Sequence, residues 1–98
     1  IVADCRNVPL PDESFDFILA DPPYSAEYAE NLYGTGDSYP TPFAICKEAS
    51  RLLRPGGKLG LLHCQVPMIR RPLKFIGVYG VTTGAGYSIR AWSLLTKV

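Results

Sequence analysis

The chain has no apolar run approaching the roughly 18 residues that a membrane-spanning helix needs, so no such helix and no membrane partner are expected. Its 98 residues contain a single histidine and no Cys-x-x-Cys pair, which leaves little from which to build a metal centre. Cys5, Cys46 and Cys64 are odd in number and widely spaced, so neither a disulfide framework nor a zinc site is indicated. Reduced thiols suit an intracellular, cytoplasmic protein, and that compartment is the expectation. No basic-plus-apolar leader opens the chain, and its first residue is Ile1 instead of Met, so it reads as a piece of a longer protein. Acidic residues are missing from the whole second half. Residues 1–50 hold all nine acids against Arg6 and Lys47, whereas residues 51–98 hold eight bases and no acid. Arg70, Arg71, Lys74 and Arg90 then suit contact with phosphates, unless the two halves interleave in the fold and neutralise each other.

One stretch organises what is present. Phe15-Asp16-Phe17-Ile18-Leu19-Ala20 runs straight into Asp21-Pro22-Pro23-Tyr24. Phe17–Ala20 is apolar without alternation, the pattern of a strand covered on both faces in a parallel sheet. Asp21 would stand at its carboxyl end, the edge at which open α/β sheets bind ligands. Pro23 forces Pro22 into an extended conformation, so the Pro22 carbonyl is held beside the Asp21 carboxylate.

Asp-Pro-Pro-Tyr directly after an apolar strand resembles the catalytic motif of S-adenosylmethionine-dependent amino-methyltransferases, above all those that methylate the exocyclic amine of adenine in DNA. A turn that merely uses prolines is the competing reading. The resemblance implies that Asp21 and the Pro22 carbonyl, fixed by Pro23, draw the hydrogens of a conjugated amine and localise its lone pair. Tyr24 would then supply a flat face for an extruded base. It implies S-adenosylmethionine as cofactor, no metal, and nucleic acid, most directly DNA, as partner. Cytosine amine and RNA purine amine are neighbouring substrates, and a non-catalytic subunit that binds nucleic acid or a protein partner is the reading from another class. Asp4, with the Cys5 backbone beside it, is similar to the acid that holds the cofactor's adenine in class I enzymes; a loop aspartate capping its own backbone competes.

The rest of the chain is consistent with that α/β, Rossmann-like class I methyltransferase sheet in its C-terminal part: parallel strands followed by a terminal β-hairpin. Residues 1–98 would be a partial catalytic domain, because the glycine-rich cofactor loop of such enzymes normally precedes the segment that position 1 begins. Leu10 to Asp16 resembles the lead-in to the fourth strand of the fold. A short helix is expected over Ala26–Leu32, and Tyr28, Tyr33 and Tyr39 are candidates to line a base or nucleic-acid channel, with helix packing as the alternative. Gly34-Thr35-Gly36 lacks the third glycine and the preceding strand of a nucleotide loop.

Thr41 as N-cap and Pro42 at the first helical position open the best helix. Its stripe of Ile45, Ala49, Leu52 and Leu53 faces a core, Arg51 and Arg54 sit in its last turn, and Pro55-Gly56-Gly57 stops it. Lys58–Leu62 is a second buried strand, right-handed and parallel to the first, which brings His63 and Cys64 to the edge beside Asp21. A structural role for His63 competes with contact to substrate or cofactor. Gln65–Pro72 is too short and too proline-broken for a covering helix. Leu73–Thr82 and Ser88–Lys97 read as strands joined by a glycine-containing loop, with Tyr87 and Arg90 as candidates to face the target and Trp92 as packing.

Overall fold

The computed structural model describes residues 4–22 and 40–98. The expected helix over Ala26–Leu32 lies outside them. Within them, β1 (Phe15–Ala20), α1 (Pro42–Leu52), β2 (Leu53–His63), β3 (Leu73–Val81) and β4 (Arg90–Lys97) form one four-stranded sheet with one helix on it. The strand order is β1-β2-β4-β3. β1 and β2 are parallel neighbours, Ile18 opposite Leu59 and Ala20 opposite Leu61, as the two apolar runs predict. β4 is antiparallel to both β2 and β3, so the terminal hairpin closes the sheet as expected. Its loop is longer than the sequence indicates, because strand pairing stops at Val81 and Arg90.

The helix starts where its sequence says. The Thr41 hydroxyl oxygen accepts from the Ala44 N–H at 3.2 Å, and Pro42 follows. It stops earlier than the Pro-Gly-Gly signal suggests. Leu53 already takes extended angles (φ −79°, ψ 142°) and opens β2, and Arg54, just before Pro55, is biased to the same region. Arg54 is therefore not in the last helical turn; its guanidinium reaches Asp16 at 3.1 Å.

Ile45, Cys46 and Ala49 of α1 pack on Leu53, Leu59, Leu61, Leu73 and Leu95, with Ile18, Ala20 and Phe75 at the margin. Burial of this layer is the main force fixing the helix to the sheet. β1 is not covered on both faces as its composition suggests: Phe17 is 51% and Leu19 67% exposed on the side away from α1. An unbroken apolar run makes both faces suitable for burial, but only one of them meets a packed layer among the described residues. On that second side Trp92 lies across Gly60, where a Cβ would stand 2.5 Å from the ring. Trp92 is packing, as expected, and Gly60 is the space it occupies.

Arg51 does more than face the helix dipole. Its guanidinium donates to both Glu48 carboxylate oxygens (2.8 and 2.9 Å), to Asp12 (2.9 Å) and to the Val8 and Leu10 carbonyls (2.8 Å each). Glu48, buried, also accepts from the Val8 N–H. The segment that leads into β1 is thus fastened to the helix that follows it.

Candidate active site

The parallel pairing carries Asp21 and Pro22 past the carboxyl end of β1 and His63 to the carboxyl end of β2. The two sites interact: the Asp21 charge favours protonated His63, while burial of the imidazole, the larger effect, lowers its pKa below the ordinary value of 6.5. His63 is fully buried on the helix-covered face. Its Nδ1 accepts from the Gln65 N–H at 3.0 Å, which assigns the proton of the neutral ring to Nε2. The structure therefore brings Asp21 and the single histidine to one edge, as the strand–helix–strand order implies.

This arrangement has a pH signature. A histidine neutral in the fold but protonated when unfolded makes the unfolded state bind more protons, so stability falls as pH drops through 6.5 toward the lowered folded value. Glu48 acts in a separate window. The Arg51 hydrogen bonds hold its carboxyl below 4.5, so its contribution is present above 4.5 and is lost only in more acid solution. Denaturant titrations between pH 7 and 5 are expected to show a decline in wild type that His63→Gln removes; an unchanged slope in the variant would assign the decline elsewhere.

Beside Asp21 is a cavity of about 330 Å³, bounded by Cys5 and Val8, by Ile18 to Pro22, by Pro40, and by Ile45 and Ala49 of the helix. Its walls are almost wholly apolar. Burial, and then the Asp4 charge, push the Cys5 thiol up, and burial pushes Cys46 up to about 11, so neither is a ready thiolate. Asp4, next in sequence to the cavity-lining Cys5 but not itself lining the cavity, has the local geometry of the competing reading. Its Oδ1 accepts from the Arg6 N–H and Nε (2.9 Å each), and its Oδ2 from Nη2 at 2.6 Å. Those bonds hold the carboxyl near a pKa of about 2. Of the four acceptor positions of a carboxylate, three are taken and one on Oδ2 remains.

The hairpin loop reaches the same edge, since Ala91 pairs with His63. Tyr87 is exposed there and Arg90 is half-buried. Pro23, Tyr24, Tyr28, Tyr33 and Tyr39 lie outside the described residues. The residue that sequence reasoning missed is Arg51. Glu48 is three positions away, but Val8, Leu10 and Asp12 lie about forty, and only the acids at Asp12 and Glu48 hinted at a destination for its charge.

The family described as methyltransferase domain matches residues 1–61. Among solved structures, TrmN from Thermus thermophilus is similar over 100% of this chain, at 26% identity and a TM-score of 0.66. TTHA0409, a proposed DNA modification methylase from the same organism, was solved in complex with S-adenosyl-L-methionine; it is similar over 98% of the chain, at 20% identity and a TM-score of 0.60. That second likeness concerns the fold. The chain spans 28% of the TrmN chain and 51% of the TTHA0409 chain. No curated protein sequence matches.

Proposed function

The chain belongs to the methyltransferase-domain family, and on that premise we propose that it carries the catalytic edge of an S-adenosylmethionine-dependent enzyme that methylates an exocyclic base amine in nucleic acid, adenine in DNA before others. The observation that carries this reading is that Asp21 and Pro22 follow directly on the carboxyl end of a parallel strand and line an apolar cavity. An aromatic amine is a poor nucleophile because its lone pair is conjugated into the ring. Two acceptors that draw its hydrogens pull the nitrogen toward tetrahedral geometry and free that pair. Their bonds strengthen as positive charge develops, which lowers the barrier and not merely the ground state. Asp21, Pro22, Pro23 and Tyr24 are the residues assigned to this step.

The residues present fit the adenine end of the cofactor. The cavity is flanked by apolar side chains of Val8, Ile18 and Ile45, suited to a flat heteroaromatic group, and Asp4, adjacent to the cavity-lining Cys5, keeps one acceptor position for an amine. When bound, the cofactor supplies a methyl group on a sulfonium centre. The chain's own part is to hold the amine against it and exclude water. His63, carrying its proton on Nε2, stands at the same edge as Asp21; Tyr87 and Arg90 belong to the side from which a nucleic acid would approach.

The test is methyl transfer from labelled cofactor by the full-length protein to DNA, RNA and free nucleoside. DNA is expected to be methylated fastest. Tyr24→Phe is expected to retain activity, because the ring and not the hydroxyl is used, whereas Tyr24→Ala loses a stacking face worth about 1–3 kcal/mol and weakens both substrate binding and turnover. Equal rates for Tyr24→Ala and wild type on DNA would remove the base-stacking role.

A further inference from the structure

The ion pairs separate two groups among the bases of the second half, Lys58 and Arg90 belonging to neither. Arg51, Arg54 and Lys97 are taken up by Asp12, Glu48, Asp16 and Glu13 of the first half. Arg70, Arg71 and Lys74, together with Lys47 of the helix, are exposed and make no ion pair among the described residues. Lys47, Arg70 and Arg71 line a cavity between α1 and residues 68–73, and Arg71 and Lys74 line the cavity next to it at the start of β3; neighbouring cavities share lining residues and together form a groove. It consists of three cavities of about 460, 390 and 640 Å³; Phe43 and Met68 are shared by the first two, Arg71 and Leu73 by the second and third. No acid lines any of them among the described residues. The groove opens at Thr41 and Pro42, immediately after Pro40, which lines the Asp21 cavity.

We propose that this groove is the track for one strand of a nucleic acid, holding the backbone on the side of the residue presented at Asp21. The inference rests on the nucleic-acid reading above and gives it a path. Cations spaced along a groove neutralise phosphates without reading sequence. The positive end of α1, whose first turn carries no acid, adds to the field at the entrance. Phe43 separates a nucleic acid from an acidic protein as occupant. It is 43% exposed, with the Arg70 guanidinium 5.7 Å from its ring centroid, an aromatic and guanidinium pair on which a base can stack. An acidic peptide has no use for such a platform.

The experiment is fluorescence anisotropy of the full-length protein with a labelled single strand of about twelve nucleotides, a length within the range such grooves occupy. Each phosphate contact on a single strand contributes about 0.7 to the slope of log Kd against log salt, so Lys47→Gln/Arg71→Gln/Lys74→Gln is expected to lower that slope by about 2. Phe43→Ala is expected to weaken binding roughly tenfold with the slope unchanged, and to have no effect on an abasic strand of the same length. A triple variant that keeps the wild-type slope would overturn the groove while leaving the Asp21 reading intact. Failure of wild type to bind any strand would overturn the nucleic-acid reading itself. Displacement by polyglutamate as effective as by the strand, with no Phe43 effect, would give the groove to an acidic protein instead.

Discussion

Asp21→Ala in the full-length protein is expected to cut methyl transfer by about 10²–10³-fold, the loss typical of one preorganised polar group at a reacting centre, or roughly 3–4 kcal/mol. Cofactor affinity should stay near wild type, because the proposed partner of this carboxylate is the target amine. The interaction is weak with a planar amine and strong with the tetrahedral, partly charged nitrogen of the transition state, so kcat and kcat/KM should fall together. Asp21→Asn separates charge from shape: the amide keeps one acceptor oxygen but not the negative charge, so activity should fall between the two. A rise in KM alone, with kcat preserved, would place Asp21 in uniform substrate binding and would remove it from the chemical step.

The second large effect concerns stability. Arg51→Ala is expected to destabilise the fold by about 2–4 kcal/mol, because it strands the buried Glu48 carboxylate and frees the Val8 and Leu10 carbonyls together. The guanidinium is 32% exposed, which keeps the figure below that of a fully buried pair. Arg51→Lys should recover only a part, since an ammonium group cannot occupy five acceptors in a fixed fork. Glu48→Gln/Arg51→Ala should be less damaged than the sum of its singles, because the stranded charge is gone. Urea midpoints at constant slope measure all of these. Because Arg51 fastens the segment carrying Asp4 and Cys5 to the helix, the same variant should also loosen the cavity beside Asp21.

Much of this was legible in the residues alone. Two apolar runs joined by a capped amphipathic helix dictate the parallel pair, and that pairing dictates that Asp21 and His63 share an edge. The terminal hairpin follows from two β-rich runs around Gly84 and Gly86. Three features were not legible, each for a physical reason. Whether Phe17 and Leu19 are covered depends on what packs over them, and hydrophobicity records only suitability for burial. The end of α1 at Leu52 reflects a choice made by Leu53, which fits a helix stripe and a strand equally well. Glu48, three positions before Arg51, makes a local helix pair with it, but the convergence of Val8, Leu10 and Asp12 on the same guanidinium depends on contacts some forty positions apart, which no local pattern encodes. Asp4 is intermediate: its bond to the Arg6 N–H is a local motif that the sequence offers as an alternative to cofactor contact.

The most direct test of the central claim is to identify the methylated atom. The full-length protein would be incubated with isotopically labelled S-adenosylmethionine and unmethylated DNA, the DNA digested to nucleosides, and the product resolved by mass spectrometry. An Asp21 edge that localises an amine lone pair predicts label on an exocyclic nitrogen, N6 of deoxyadenosine first, and its loss in Asp21→Ala. Label on a ring carbon or a ring nitrogen, or label on N6 undiminished in Asp21→Ala, would contradict it.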